Sequence, residues 1–357
     1  MKPAIKSRFK PLATPLYGAF LCSSISTFSQ LHLNLSHLWS ENTILFGKTY
    51  RMYKDDWKHH VHLKCTNYCD ARCDFCIEQP SYGDDENSQD FMASAKSVIR
   101  QLHNQGHFRT LSITGGEPTC FARLNEIIEG ANYYKPTLFS INSNGAFMNK
   151  IPFGTLNGWF NLSKHAINDQ DVFKRSRNID VVEILKFKML QPKAKVRIQC
   201  VLGVNGGLKT INDIESFINH YADVADDFSF RSLIIDGENE KVSDLFMEFR
   251  NQMFDAGTLV EQVIQDYYVY ENYIWCNKPI TMSWSNMDML RKYNETHNND
   301  NFLEEIIVHP DGMVTGSWNK KTLIIHNPNT PSKCSTCCWH NNGCRYKNGL
   351  CGGGGGC

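Results

Sequence analysis

Thr110-Leu111-Ser112-Ile113-Thr114 runs directly into Gly115-Gly116-Glu117-Pro118. The first five residues read as a short buried strand. The next four end it: the glycines let a ligand approach the backbone closely, Glu117 supplies an acceptor for an ammonium group, and Pro118 stiffens the exit. Taken alone, Gly-Gly-Glu-Pro is also an ordinary turn. A helical stretch follows from about Ala122 to Tyr133. Strand then helix is the unit that recurs on both sides of this segment.

Upstream, Val61 to Lys64 is a strand candidate and Asp90 to Asn104 has helical spacing. Downstream, Leu138 to Ile141, Trp159 to Ser163, Val196 to Leu202 and Phe228 to Leu233 add four strands, with helices such as Asp171 to Leu190 and Ile211 to Tyr221 between them. Six strand-helix units predict an α/β fold with a parallel sheet and covering helices. Parallel strands need crossovers, so their C-terminal ends share one edge, and chemistry tends to collect there. Past Asp236 a polar amphipathic stretch runs from Lys241 to about Tyr273. A strand at Glu305 to His309, a turn at Pro310-Asp311-Gly312 and a partner strand from Met313 to Ser317 then form a hairpin. The chain thus divides into an N-terminal extension (1–56, partly disordered), a core (57–236), a helical connection (237–300) and a Cys-rich region (301–357).

The 357 residues are enough for one large α/β domain plus an appendage, or for two domains. Hydrophobic residues make up 41% and charged residues 21%, which argues against a disordered or fibrous chain. Lys+Arg and Asp+Glu are both 37, so charge gives no reason to expect a nucleic acid or an anionic membrane as partner. No run approaches the roughly 18 to 20 apolar residues of a membrane span. Lys2, Lys6, Arg8 and Lys10 precede the apolar stretch Leu16 to Cys22, but Pro15 breaks it and no small-residue cleavage site follows. A plain extension is expected there, with Met52 as an alternative start.

The 14 cysteines are clustered. Cys65, Cys69, Cys73 and Cys76 form one group, and Cys334, Cys337, Cys338, Cys344, Cys351 and Cys357 another; Cys22, Cys120, Cys200 and Cys276 stand apart. A cysteine content of about 4% lies below the roughly 8–10% of disulfide scaffolds. Clustered thiols in so large a chain read as metal ligands in a reducing, cytoplasmic compartment. In Cys69-Asp70-Ala71-Arg72-Cys73-Asp74-Phe75-Cys76, three thiolates on one short loop can each take a different iron of a cubane. The fourth iron is left open for a small-molecule ligand. Zinc, which also uses C-x2-C pairs, and a disulfide are the competing uses of these thiols.

Together, C-x3-C-x2-C after the first strand and Gly-Gly-Glu-Pro after the second resemble the radical S-adenosylmethionine superfamily, over residues 57 to 236. That resemblance implies a partial (β/α)6 barrel of TIM type. It implies that Cys69, Cys73 and Cys76 hold a [4Fe–4S] cluster whose open iron is chelated by S-adenosylmethionine. It places Phe75 near the adenine and lets Gly115, Gly116 and Glu117 receive the methionine amine. Asn144, in Ser143-Asn144-Gly145, and Ser163 at the end of the fourth strand match further cofactor-binding positions, with Lys164 as an alternative to Ser163. Arg231 on the sixth strand either reaches the site or makes a barrel-wall salt bridge.

His309-Pro310-Asp311-Gly312-Met313-Val314 followed by the Cys-rich tail is similar to SPASM or twitch extensions, which carry auxiliary clusters in peptide-modifying members. Ser317 stands where the SPASM pattern has a Cys. Cys334, Cys337, Cys344 and Cys351 retain ligands for a second [4Fe–4S] cluster, with Cys276 or Cys338 able to contribute. The expected activity is reductive cleavage of S-adenosylmethionine for modification of a peptide or protein, with a reductant such as flavodoxin or ferredoxin as partner. The alternatives are a small-molecule cyclase, since Cys334, Cys337 and Cys351 are spaced as in the pyranopterin cyclase of molybdenum-cofactor synthesis, and a non-catalytic zinc-binding interaction protein. The run Gly352 to Gly356 ending in Cys357 has no assigned role.

Overall fold

The structure is a computed structural model, and it describes residues 40–53, 61–76, 88–233, 243–265, 268–275, 277–285, 302–303, 305–316 and 323–329. The chain first forms a hairpin of β1 (Ser40–Leu45) and β2 (Lys48–Tyr53), closed by Phe46 and Gly47 at φ 49° and 78°. Two adjacent positive φ values are what a tight right-twisted hairpin turn needs.

β3 (Val61–Lys64) opens the main sheet and is followed by α1 (Ser88–Asn104), β4 (Thr110–Thr114), α2 (Leu124–Tyr134), β5 (Leu138–Ser143) and β6 (Trp159–Ser163). Then come α3 (Gln170–Phe173), α4 (Val181–Leu190), β7 (Lys195–Leu202), α5 (Ile211–Tyr221), β8 (Asp227–Ser232) and α6 (Asp244–Ala256). The strands β3 through β8 lie side by side in sequence order, and every neighbouring pair is parallel. Right-handed crossovers between strands that always step the same way put the longer crossover helices on one face, while the short α3 packs Phe173 against Cys69 and Ala71 at the strand ends. β7 shows the consequence in its side chains: Val196, Ile198, Cys200 and Leu202 are buried, while Arg197, Gln199 and Val201 on the other face are only partly covered. The helix-covered face is one apolar core that includes Leu63, Ile113, Ile141, Leu162, Ile198 and Phe230. The opposite face carries a polar ladder in which Asn161 donates to Asn142 (2.9 Å) and Asn142 to Ser112 (2.8 Å).

The six expected strands are present, and expectations about what precedes them and what connects them change. Residues 40–53 belong to the folded body: Phe46 is held to α1 through Gln101 and Ile44 to Gln105 just past its end, and Glu41 pairs bidentately with Arg109 at 2.6 and 3.0 Å. Met52 is buried in β2, so a chain starting there would lack β1. Between β5 and β6 there is only a 3₁₀ turn at Met148–Lys150, where Gly145, Pro152, Gly154 and Gly158 interrupt any helix. The expected helix 171–190 breaks at Lys174, which takes a left-handed φ of 49°, and restarts with Asp180 capping α4.

The span 237–300 is not a helical connection throughout. After α6 come β9 (Thr258–Gln265), β10 (Tyr268–Trp275) and β11 (Lys278–Ser285), whose β-branched and aromatic residues favour strands. β11 joins β8 in parallel, and β10 and β9 extend the sheet antiparallel. β12 (Phe302–Leu303) adds to β2. β13 (Ile306–Val308) runs parallel to β3, pairs antiparallel with β14 (Val314–Thr315) across the expected 310–312 turn, and is followed by β15 (Ile324–His326). Among the described residues the main sheet therefore has twelve strands, with β15 and β9 at its edges. No helix among the described residues is long and apolar enough to cross a membrane.

Candidate metal and cofactor site

Four loops meet at the C-terminal edge of β3 to β6. The segment 65–76 leaves β3 and crosses directly over Gly115 and Gly116, stitched to them by backbone bonds from Cys65 N to Thr114 O (2.9 Å), Gly116 N to Thr66 O (2.7 Å) and Glu117 N to Tyr68 O (2.7 Å). A Cβ on Gly115 would stand 2.5 Å from Thr66 O, and one on Gly116 would stand 2.1 Å from Tyr68 O. What approaches these glycines so closely is the backbone of the thiol loop itself. The two motifs form a single built unit.

Cys69 is buried, and Cys73 and Cys76 are half-buried. Burial pushes the Cys69 thiol up to about 11 and the Cys73 thiol up to about 12, and the neighbouring thiols of the loop add to both shifts. Such thiols stay protonated near neutrality unless a metal takes the place of the proton. Among the described residues no three His, Cys, Asp or Glu side chains converge on a single ion. Thiolates that each take a different iron of a cubane do not need to converge in that way, so three thiols on one loop fit the cluster by their chemistry. Cys334, Cys337, Cys338, Cys344, Cys351, Cys357 and Cys276 lie outside the described residues.

Glu117 is 1% exposed and both of its oxygens are engaged. Oε1 accepts from Thr119 N (2.9 Å), Thr119 Oγ1 (2.5 Å) and Ser143 Oγ (2.7 Å), and Oε2 accepts from Asn144 N (2.7 Å). Burial raises its pKa and these donors oppose the rise. The carboxylate thus ties the β4 loop to the β5 loop. Asn144, also buried, contacts Asp70 and Arg175, and Arg175 stacks on Phe173 with its guanidinium 4.5 Å from the ring centroid. Arg72 closes its own loop by donating to Cys69 O and Ala71 O, and its backbone N donates to Phe173 O. Asp74 pairs with Lys174 at the surface.

Phe75 meets His165 edge to face at 4.9 Å, and His165 leans on Phe173 at 5.3 Å. The His165 Nδ1 accepts from Val201 N–H (3.0 Å), which leaves the ring proton on Nε2. Burial, with Lys164 beside it, holds this imidazole down to about 3. Ser163 ends β6 in register with Gln199 and is half-buried. Lys164, the alternative to it, is wholly enclosed: Nζ lies 2.9 Å from Asp169 and donates to Asn178 Oδ1 at 2.8 Å. Arg231 is exposed on β8. Cys65 is a strand-end thiol donating to Thr114 O, and Cys200 is buried in the core. The structure thus brings Cys69, Glu117 and Asn144 into one linked site, with Cys73, Cys76, Gly115 and Gly116 on the same two loops and Phe75 anchored by His165.

Asp70, Thr119, His165 and Arg175 are the residues of this neighbourhood that sequence reasoning passes over. The Asp and Arg have no motif spacing, and no local signal distinguishes them from surface charges.

No protein-family model matches the chain, and no curated protein matches it. Among solved structures, Streptococcus suis SuiB bound to S-adenosylmethionine is 13% identical over 74% of this chain and 61% of that chain, with a TM-score of 0.47. Native anSMEcpe with bound AdoMet is 14% identical over 72% of this chain and 73% of that one, with a TM-score of 0.41. TYW1 with a lysine-pyruvate adduct is 15% identical over 57% and 77%, with a TM-score of 0.37. The chain spans 61% and 59% of the length of the two SuiB structures.

Proposed function

We propose that the chain is a radical S-adenosylmethionine enzyme whose core is a partial (β/α)6 barrel, with Cys69, Cys73 and Cys76 holding a [4Fe–4S] cluster. The observation that carries this reading is the close seating of the thiol loop on Gly115 and Gly116. That contact turns two short motifs, some forty residues apart, into one site at the C-terminal edge of a parallel sheet. The bound cluster would supply one electron to the sulfonium of S-adenosylmethionine, giving methionine and a 5′-deoxyadenosyl radical that abstracts hydrogen from substrate.

The chain's own residues hold and enclose the reactants. Gly115, Gly116, Asn144 and Ser163 line the cofactor side, and Glu117 fixes the β4 and β5 loops that border it. Phe75, backed by His165 and Phe173, presents an aromatic edge for the adenine. The polar face of the sheet, opposite the helices, faces the substrate. The substrate is a peptide or protein, a reading supported by the β13–β14 hairpin that precedes the Cys-rich tail, where Cys334, Cys337, Cys344 and Cys351 are proposed to bind a second cluster. The electron donor is a one-electron carrier such as flavodoxin or ferredoxin, and the enzyme works in the cytoplasm.

Metal analysis of anaerobically reconstituted protein tests both cluster assignments. The wild type should hold about eight irons per chain, and the variant lacking Cys69, Cys73 and Cys76 about four. Zinc in place of iron at the triad overturns the enzyme reading, and four irons in the wild type with none in the variant removes the auxiliary cluster.

A further inference from the structure

The orientation of the Asn144 amide is set by its partners. Arg175 Nη1 donates to Asn144 Oδ1 at 2.9 Å, and Ala146 N–H donates to the same oxygen at 2.9 Å. Neither a guanidinium nor a backbone N–H can accept, so the atom facing them is the amide oxygen. The nitrogen must then face the other way. There Nδ2 lies 2.7 Å from Asp70 Oδ1 and 3.9 Å from Cys69 Sγ. An amide nitrogen has two hydrogens, one for the carboxylate and one for the sulfur. Asp70 in turn is balanced by Arg175, 3.5 Å away.

Cys69 Sγ also accepts from Ala71 N at 3.4 Å, so two N–H groups address this one sulfur. Both Asn144 and Cys69 are more than nine-tenths buried, where an N–H dipole on a charged sulfur is poorly screened. We propose that Asn144 is a positioning residue for the metal-bound thiolate of Cys69, and that its Nδ2–H···S contact raises the reduction potential of the cluster. The inference rests on the cluster reading of the triad. Its physical basis is that reduction adds negative charge to the cluster and its sulfurs, so a donor aimed at a ligand sulfur stabilises the reduced state more than the oxidised one. Arg175 acts through Asn144 by holding the amide the right way round.

The test is an EPR-monitored redox titration of the reconstituted full-length protein without S-adenosylmethionine, comparing wild type with Asn144→Leu, which keeps the bulk and removes the donor. The expected result is a midpoint shifted to more negative potential with iron content retained. A second measurement needs no variant: pulsed EPR of wild type carrying ¹⁵N-labelled asparagine should show a coupling from the side-chain nitrogen. A cluster with an unshifted midpoint, or without that coupling, overturns this inference alone. Absence of any cluster signal in the wild type overturns the functional reading and this inference with it.

Discussion

Glu117 brings a carboxylate into a place that water barely reaches, and four donors from two loops meet it. Glu117→Gln can keep its amide oxygen toward Thr119 and Ser143, but its NH2 then faces the Asn144 N–H, and a buried donor left unpaired costs about 1–3 kcal/mol. The expected outcome is a clear fall in the urea midpoint, with affinity for S-adenosylmethionine changing only as the loops loosen. An unchanged midpoint with a tenfold or larger loss of affinity would instead make Glu117 a direct ligand of the methionine amine. His165 carries a second prediction. The unfolded chain titrates near 6.5 and the folded imidazole at about 3, so between those values only the unfolded state takes up the proton. That contribution to stability is present above about pH 6.5 and is lost as pH falls toward 3. The urea midpoint of wild type should therefore drop more between pH 7 and pH 5 than that of His165→Leu, and parallel losses would contradict the assignment. At this scale the sequence shows the thiols and glycines, because their spacing is local. It does not show Ser143 and Asn144 as the partners of Glu117, since these stand 26 and 27 positions away and meet it only through strand register.

Among the elements, the strands were legible and the connections less so. β3, β4 and β6 have the expected ends because each is a short run of apolar and β-branched residues with turn signals at its borders. The absent helix after β5 and the strands β9 to β11 depend on tertiary pairing, which overrides a weak amphipathic pattern. The segment after β6 is ordered by a buried pair, Lys164 and Asp169, both with no exposed side-chain surface. Burial pulls Lys164 down and pushes Asp169 up, and each group opposes the other's shift. Lys164→Met alone leaves an uncompensated buried carboxylate and should cost about 3–5 kcal/mol in chemical denaturation, whereas Lys164→Met combined with Asp169→Leu should recover much of that loss. A single variant as stable as wild type would show that the pair does not order the segment.

The layout of the described residues around the site follows from winding in one direction. Because β3 to β8 step always the same way, the longer helices cover one face, the loops at the strand ends gather the thiols and glycines, and the other face is left polar. The alternation of strand and helix announces this layout in the sequence. The continuation of the sheet through β11 at one end and β13 at the other is not announced, since it joins segments far apart in the chain.

If the loop on Gly115 and Gly116 holds a cluster with an iron open to S-adenosylmethionine, the cofactor should be cleaved reductively even when no substrate is present. The most direct measurement is the 5′-deoxyadenosine formed when reconstituted protein is given dithionite and S-adenosylmethionine under strict anaerobiosis. Slow formation is predicted for the wild type even without substrate, and none for Cys73→Ala. Formation by the variant at the wild-type rate, or by neither protein when the wild type has its full iron, would show that this loop does not hold such a cluster.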